Sequence, residues 1–232
     1  MGKKCRVVCM GDSITEGFGL GDDASVYYPS RLQSYLGEEY QVFNQGVSGC
    51  CVTNIMVDGQ VAGYPYARQD RYRDALVLKG DIYVIMLGTN DAKDGEYEDK
   101  SGFDPLNNMI SYRKHFLPCY QDIINDVRGV NPDAIIYIVR PIPIMDCKIY
   151  TNNNKYLEML FPYMRELVLS NRGLRKIDLY QTFMEVGFKE RVDLYQDDGL
   201  HPNAKGADLI AKTIADEMIH RYKEEKVSAI TK

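Results

Sequence analysis

An α/β protein built on a five-stranded parallel sheet is the architecture this sequence predicts. Three observations lead there. Five short apolar runs occur, each the length of a buried strand. Stretches with helical spacing separate them, and the runs end in loops rich in Gly, Asn and Asp. Strands alternating with helices imply a parallel sheet covered on both faces. The 232 residues suffice for one domain spanning 1–232, and no shift of composition divides them.

The first run, Val7-Val8-Cys9-Met10, ends in Gly11-Asp12-Ser13. A glycine there lets the backbone turn tightly where a side chain would clash. Ser13 thereby falls at the carboxyl end of a strand, where open α/β sheets place their chemistry. A helix is predicted over 24–36 and a second strand over 40–43, leading into the loop Asn44-Gln45-Gly46-Val47-Ser48-Gly49. From 50 to 69 the pattern is ambiguous: Thr53 can cap a short helix, while Gly59, Gly63 and Pro65 stop a longer one. A helix resumes over 67–78. Residues 81–87 form the clearest central strand, continuous and apolar, and run into Gly88-Thr89-Asn90-Asp91.

The charged segment 92–104 is expected to be a solvated rim. A long helix follows over 107–128, broken near Pro118, then a fourth strand over 134–139 and an extended loop over 140–146. A helix over 154–169 should kink at Pro162, and 174–179 supplies the fifth strand. Asp197-Asp198-Gly199-Leu200-His201-Pro202 precedes a last helix from 203 to about 222, with Asn203 as its cap and Ala207, Ile210, Ala211, Ile214 and Met218 at helical spacing.

The net charge of -5 with no basic stripe argues against a nucleic-acid partner. No run of 18 apolar residues suggests a membrane span. Six cysteines, none in a CxxC pair, are expected to be free thiols; Cys5 and Cys9 lie too far apart along one strand to bridge each other. With no visible leader before Gly11-Asp12-Ser13, a cytoplasmic location is expected over a secreted one. The 18 tyrosines are expected to pack at the edge of the core, and with Tyr64-Pro65-Tyr66 they leave an oligomer interface open.

A serine hydroxyl is a weak nucleophile without an adjacent base. Of the three histidines, His115 and His220 fall within helical stretches, whereas His201 stands in a loop three residues after Asp198. That carboxylate can accept from one ring nitrogen while the other faces a nucleophile. Asp197 is the alternative, and the bland alternative is a turn followed by a helix cap. Acyl transfer also needs donors aimed at the developing oxyanion. The backbone amides of Ser13 and Gly49 and the side-chain amide of Asn90 emerge from three strand ends on one edge of the predicted sheet, although Gly49 and Asn90 are also ordinary turn residues.

These four blocks, Gly11-Asp12-Ser13-Ile14-Thr15-Glu16-Gly17, Asn44 through Gly49, Gly88-Thr89-Asn90-Asp91 and Asp198-Gly199-Leu200-His201-Pro202, resemble in content and order those of the SGNH hydrolases, the superfamily of GDSL-type esterases and lipases. The resemblance implies a flavodoxin-like three-layer α/β/α sandwich, with Ser13 as nucleophile, His201 as base, Asp198 as its partner, and Ser13, Gly49 and Asn90 as the oxyanion hole. No Gly-x-Ser-x-Gly elbow surrounds Ser13, which sets the chain apart from the α/β-hydrolases. A phosphate or flavin cradle would leave His201 and Asp198 without a role.

The segment 140–180 resembles, more loosely, the sialate O-acetylesterase-like and other carbohydrate-esterase branches, through Pro141-Ile142-Pro143, Asn152-Asn153-Asn154 and Ile177-Asp178-Leu179. The reading is a serine esterase removing a small acyl group, acetyl above all, from a small-molecule or oligosaccharide ester, with no metal or organic cofactor required. A lysophospholipase or thioesterase is the alternative within the superfamily. A catalytically silent carbohydrate- or protein-binding module is the alternative outside it.

Overall fold

The computed structural model describes residues 3–57, 60–92, 112–145 and 152–230. Its strands are β1 (Cys5–Gly11), β2 (Tyr40–Gly46), β3 (Ile55–Val57), β4 (Gln60–Ala62), β5 (Ile82–Met86), β6 (Ile135–Arg140) and β7 (Leu174–Asp178). Five of them form one parallel sheet in the order β2-β1-β5-β6-β7. Counting only its own strands, that order is 2-1-3-4-5, the doubly wound flavodoxin-like arrangement, with its switch point between β1 and β5. The chain leaves these two neighbours in opposite directions, so a crevice opens above their carboxyl ends.

Alternation along each strand feeds two separate cores. Val8 and Met10 of β1, Tyr83 and Ile85 of β5 and Ile136 and Ile138 of β6 point to one face, where they meet helices α3 (Asp70–Val77), α4 (Leu117–Val130) and α5 (Asn154–Ser170). Val7, Cys9, Val84, Met86, Tyr137 and Val139 point to the other, against α2 (Tyr28–Leu36), α6 (Leu179–Glu185) and α7 (Ala204–Ile230). Every residue of β5 is buried, as a central strand covered on both faces must be. The last helix is capped as its sequence suggests, Asn203 accepting from the amides of Lys205 and Gly206. No helix among the described residues is long and apolar enough to cross a membrane.

Several elements differ from their sequence reading. Thr53 caps no helix: its amide and hydroxyl both donate to Asp91, and the chain continues into the antiparallel β3–β4 pair. A 3-10 turn over Tyr66–Arg68 precedes α3, which is shorter than its apolar pattern suggests. Near Pro118, where a break is expected, a π-helical turn over Tyr112–Phe116 gives way to α4, whose first turn holds the proline. The rim expected at 93–104 and the start of the long helix lie outside the described residues.

Five tyrosines, Tyr28, Tyr66, Tyr83, Tyr120 and Tyr137, are fully buried and not at the core's edge. Each hydroxyl finds a partner: Tyr66, Tyr83 and Tyr120 donate to backbone carbonyls of Gln45, Ala75 and Ile85, Tyr28 pairs with Thr15, and Tyr137 accepts from Arg175. A buried hydroxyl so paired carries little desolvation penalty. Cys5, Cys9, Cys50, Cys51 and Cys119 are free thiols.

Gly11 is required by proximity and not by its backbone angles. A Cβ there would lie 2.0 Å from Thr15 Oγ1 and 2.7 Å from the Met86 carbonyl oxygen. Gly46, beside it in register, is less forgiving, because its Cβ would lie 2.2 Å from the backbone nitrogen of Glu16. Backbone cannot swing aside as a side chain can. Gly46→Ala should therefore lower stability by about 2 kcal/mol or more, read as a fall in the urea midpoint. An unchanged midpoint would show that the short helix after β1 is free to move.

Candidate active site

The site is assembled at the carboxyl edge of the sheet. Gly11 pairs with Gly46 on one side and Met86 on the other, so β1, β2 and β5 end at one level. Ser13 opens a four-residue helix, α1 (Ser13–Glu16), capped by Asp12, whose carboxylate accepts from the Ile14 amide at 3.0 Å. Gly49 and Asn90 follow β2 and β5 within a few residues.

The Ser13 hydroxyl lies 2.8 Å from His201 Nε2, and His201 Nδ1 lies 2.6 Å from Asp198 Oδ2. Asp198 rather than Asp197 therefore meets the ring. Its other oxygen accepts from the amides of Leu200 and His201, both at 2.9 Å, so one carboxylate shapes the turn and orients the imidazole together. Burial alone would raise the Asp198 carboxyl. The hydrogen bond from the His201 ring and the two amide bonds outweigh it and hold the group below its ordinary value. Phe18 packs its ring against that of His201, with centroids 4.7 Å apart. His220 is exposed and His115 half-buried in the turn before α4; neither lines the cleft around Ser13.

Ser13, Phe18, Ser48, Gly49, Asn90, Asn152, Leu200 and His201 line one cleft of about 140 Å³. Asn90 uses one amide hydrogen on the Cys50 carbonyl at 3.0 Å, which fixes its side chain and leaves the second hydrogen for another acceptor. Among the described residues, the backbone N–H groups of Ser13 and Gly49 donate to nothing. Three donors thus stand ready beside the serine hydroxyl. All five residues singled out from the sequence meet here, four lining the cleft and Asp198 behind His201.

Phe18, Ser48, Asn152 and Leu200 complete the lining without having been singled out for the site. Asn152 belongs to the asparagine run noted before α5; it donates to the Thr89 carbonyl at 2.6 Å, while its own carbonyl oxygen is buried and accepts nothing among the described residues. Nothing in the local sequence marks Phe18. A second, larger cavity of about 390 Å³ lies beyond the 196–199 segment, lined by Met145, Phe188, Val192, Tyr195, Gln196, Asp197 and Gly199. Neither Ser13 nor His201 is part of its described lining.

The chain belongs to the GDSL-like Lipase/Acylhydrolase family, which it matches over residues 9–209. It is 35% identical over 214 residues to an acetylxylan esterase of Xylanibacter ruminicola, covering 90% of this chain but 42% of that protein's length. Among solved structures, Est24, a carbohydrate acetylesterase from Sinorhizobium meliloti, shares the fold with a TM-score of 0.66 and 18% identity, over 94% of this chain and 99% of the other. An aryl esterase of M. smegmatis does so at 0.63 and 18%, over 93% and 99%.

Asp12, directly before the serine, is fully buried. Burial pushes its carboxyl up from 3.8 to about 7, against the hydrogen bond from the Ile14 amide and with an added push from the charge of Asp91. Between those two values the carboxyl is protonated in the folded chain and ionised in the unfolded one. The stability present below about pH 4 is therefore lost progressively as pH rises to about 7. Asp12→Asn keeps an oxygen for the Ile14 amide and removes the ionisation. Its stability relative to the parent should climb across that window in urea titrations at stepped pH; a difference flat with pH would contradict the raised value.

Proposed function

We propose that the chain is a serine esterase that removes a small acyl group, acetyl above all, from a carbohydrate through an acyl-enzyme on Ser13. The observation that carries this reading is the continuous Ser13–His201–Asp198 relay beside three donors with hydrogens to give. His201 Nε2 takes the Ser13 proton as Oγ attacks the ester carbonyl. Asp198 holds Nδ1 and so fixes the tautomer in which Nε2 is the base, and its charge stabilises the imidazolium that forms. The carbonyl oxygen, gaining negative charge, turns to the Ser13 and Gly49 amides and to Asn90. His201 then returns the proton to the departing sugar oxygen. In the second step it deprotonates a water that attacks the acyl carbon, and Ser13 leaves with the proton.

The size of the cleft supports a short acyl group: about 140 Å³ is well below the roughly 300 Å³ at which pockets begin to enclose a drug-sized ligand. Half-exposed Phe18 at its mouth offers an apolar face for a sugar ring while the acyl group enters. The likeness to an acetylxylan esterase points to the same substrate class, and since this chain matches only 42% of that protein, the substrate is argued here from the cleft as well. The 390 Å³ cavity is the feature that would favour a longer acyl chain, were it to connect to the cleft.

Initial rates on 4-nitrophenyl acetate, butyrate and octanoate, beside an acetylated xylo-oligosaccharide, test the reading. Acetyl esters should be turned over fastest and Ser13→Ala should abolish the activity. A preference for octanoate would move the assignment to a lipid or thioester hydrolase. Asn90→Ala should lower kcat on the order of a hundredfold or more with the fold intact, and full turnover by that variant would remove Asn90 from the oxyanion hole.

A further inference from the structure

We infer that Glu16 and Asp91 are positioning residues for ester hydrolysis, two carboxylates that clamp the Gly49 loop from either side and set the spacing of the oxyanion donors. The inference rests on the Ser13 esterase reading and extends it to residues that need not touch substrate. Gly49 itself donates to nothing among the described residues, so its amide is aimed only by how its neighbours are held.

Those neighbours are tied to the two elements that carry the other donors. On one side, Glu16, at the end of the short helix that Ser13 begins, accepts from the Ser48 amide at 2.9 Å and from the Ser48 hydroxyl. On the other, Asp91 directly follows Asn90 and is buried. It accepts from the Val52 amide at 2.9 Å, the Thr53 amide at 3.0 Å and the Thr53 hydroxyl at 2.7 Å. Asn90 closes the set by donating to Cys50. Residues 48, 50, 52 and 53 are therefore each bonded to the Ser13 or Asn90 element, and Gly49 lies between the two sets of bonds.

The chemistry suits the task. An ionised carboxylate only accepts, with room for several donors at once, and bonds to it are stronger than neutral ones. Both acids face N–H and O–H donors of the loop, so each holds it without adding a competing donor. Misplacement of a catalytic group by about 1 Å can cost on the order of a hundredfold in rate, so a clamp of this kind should be visible in turnover even when the fold survives.

The test uses Glu16→Ala, Glu16→Gln and Asp91→Asn in the full chain. It measures kcat/KM on 4-nitrophenyl acetate, the inhibition constant of an alkyl trifluoromethyl ketone that forms a tetrahedral adduct with serine, the acid limb of the pH profile, and thermal melting. Glu16→Ala should lower kcat/KM on the order of tenfold and weaken the ketone by a similar factor. Melting and the acid limb, which reports the base, should stay in place. Glu16→Gln should recover most of the loss, because its amide oxygen still accepts from Ser48. Asp91→Asn sets an NH₂ among loop donors and should fall further, towards a hundredfold.

Glu16 is exposed, so its variants fold even if the buried Asp91 does not tolerate change. Parent-like kcat/KM and ketone affinity in Glu16→Ala would overturn the inference alone, as would a loss that Glu16→Gln does not recover. A parent chain with no Ser13-dependent hydrolysis would overturn the esterase reading and this inference with it.

Discussion

Everything at the site depends on register in three neighbouring strands. Gly11 stands opposite Gly46 and Met86, so the turns after β1, β2 and β5 start from one line across the sheet. Parallel hydrogen bonding sets that line, and slipping one strand by a single residue would turn each buried side chain to the wrong face. Val8 and Met10 would exchange cores with Val7 and Cys9. The two apolar layers thus hold the catalytic loops at a common height. The bond from His201 to Ser13, across 188 residues of sequence, can form because both ends rest on this frame.

The frame admits these loops only where side chains are missing. At Gly11 and Gly46 the short helix carrying Ser13 lies on backbone, with Thr15 and Glu16 where a Cβ would sit. This close approach is what lets Glu16 reach Ser48 across the loop after β2. Small residues at a strand end therefore serve the chemistry indirectly, by bringing one element within hydrogen-bonding range of the next. Asp91 does the same from the β5 side through side-chain bonds, and the antiparallel β3–β4 pair continues from the residues it holds.

Much of this was legible in the sequence. The strands announce themselves by short apolar runs, and Ser13, Gly49 and Asn90 by their place after three of them. Asp198 could be preferred to Asp197 because an acid three residues before a histidine can reach its ring, as it does; that it also holds the His201 amide was not legible. Glu16 and Asp91 were not legible as a pair, since their partners lie 32 and 39 residues away and local pattern carries no information about such contacts. β3 and β4 were missed for a related reason: three residues are too few to show alternation, and their pairing is what makes them strands. Five tyrosines lie deeper than the core's edge because composition does not reveal that a partner awaits each buried hydroxyl.

Four carboxylates lie around the cleft, and their environments differ. Asp198 accepts three hydrogen bonds, one from the His201 ring and two from amides, and stays below its ordinary pKa, so its charge would be present for the imidazolium of the proposed reaction. Asp12 is wholly enclosed and rises to about 7, so near neutral pH much of its charge is absent beside Ser13. Burial also raises Asp91, against the bonds from Val52 and Thr53, and its oxygens are occupied by the loop it holds. Glu16 lies at the surface, where it accepts from the Ser48 amide and hydroxyl. The oxygens of Asp198, Asp91 and Glu16 are thus turned to histidine, loop amides or solvent, and in the proposed reaction the Ser13 and Gly49 amides and Asn90 are left to meet the oxyanion.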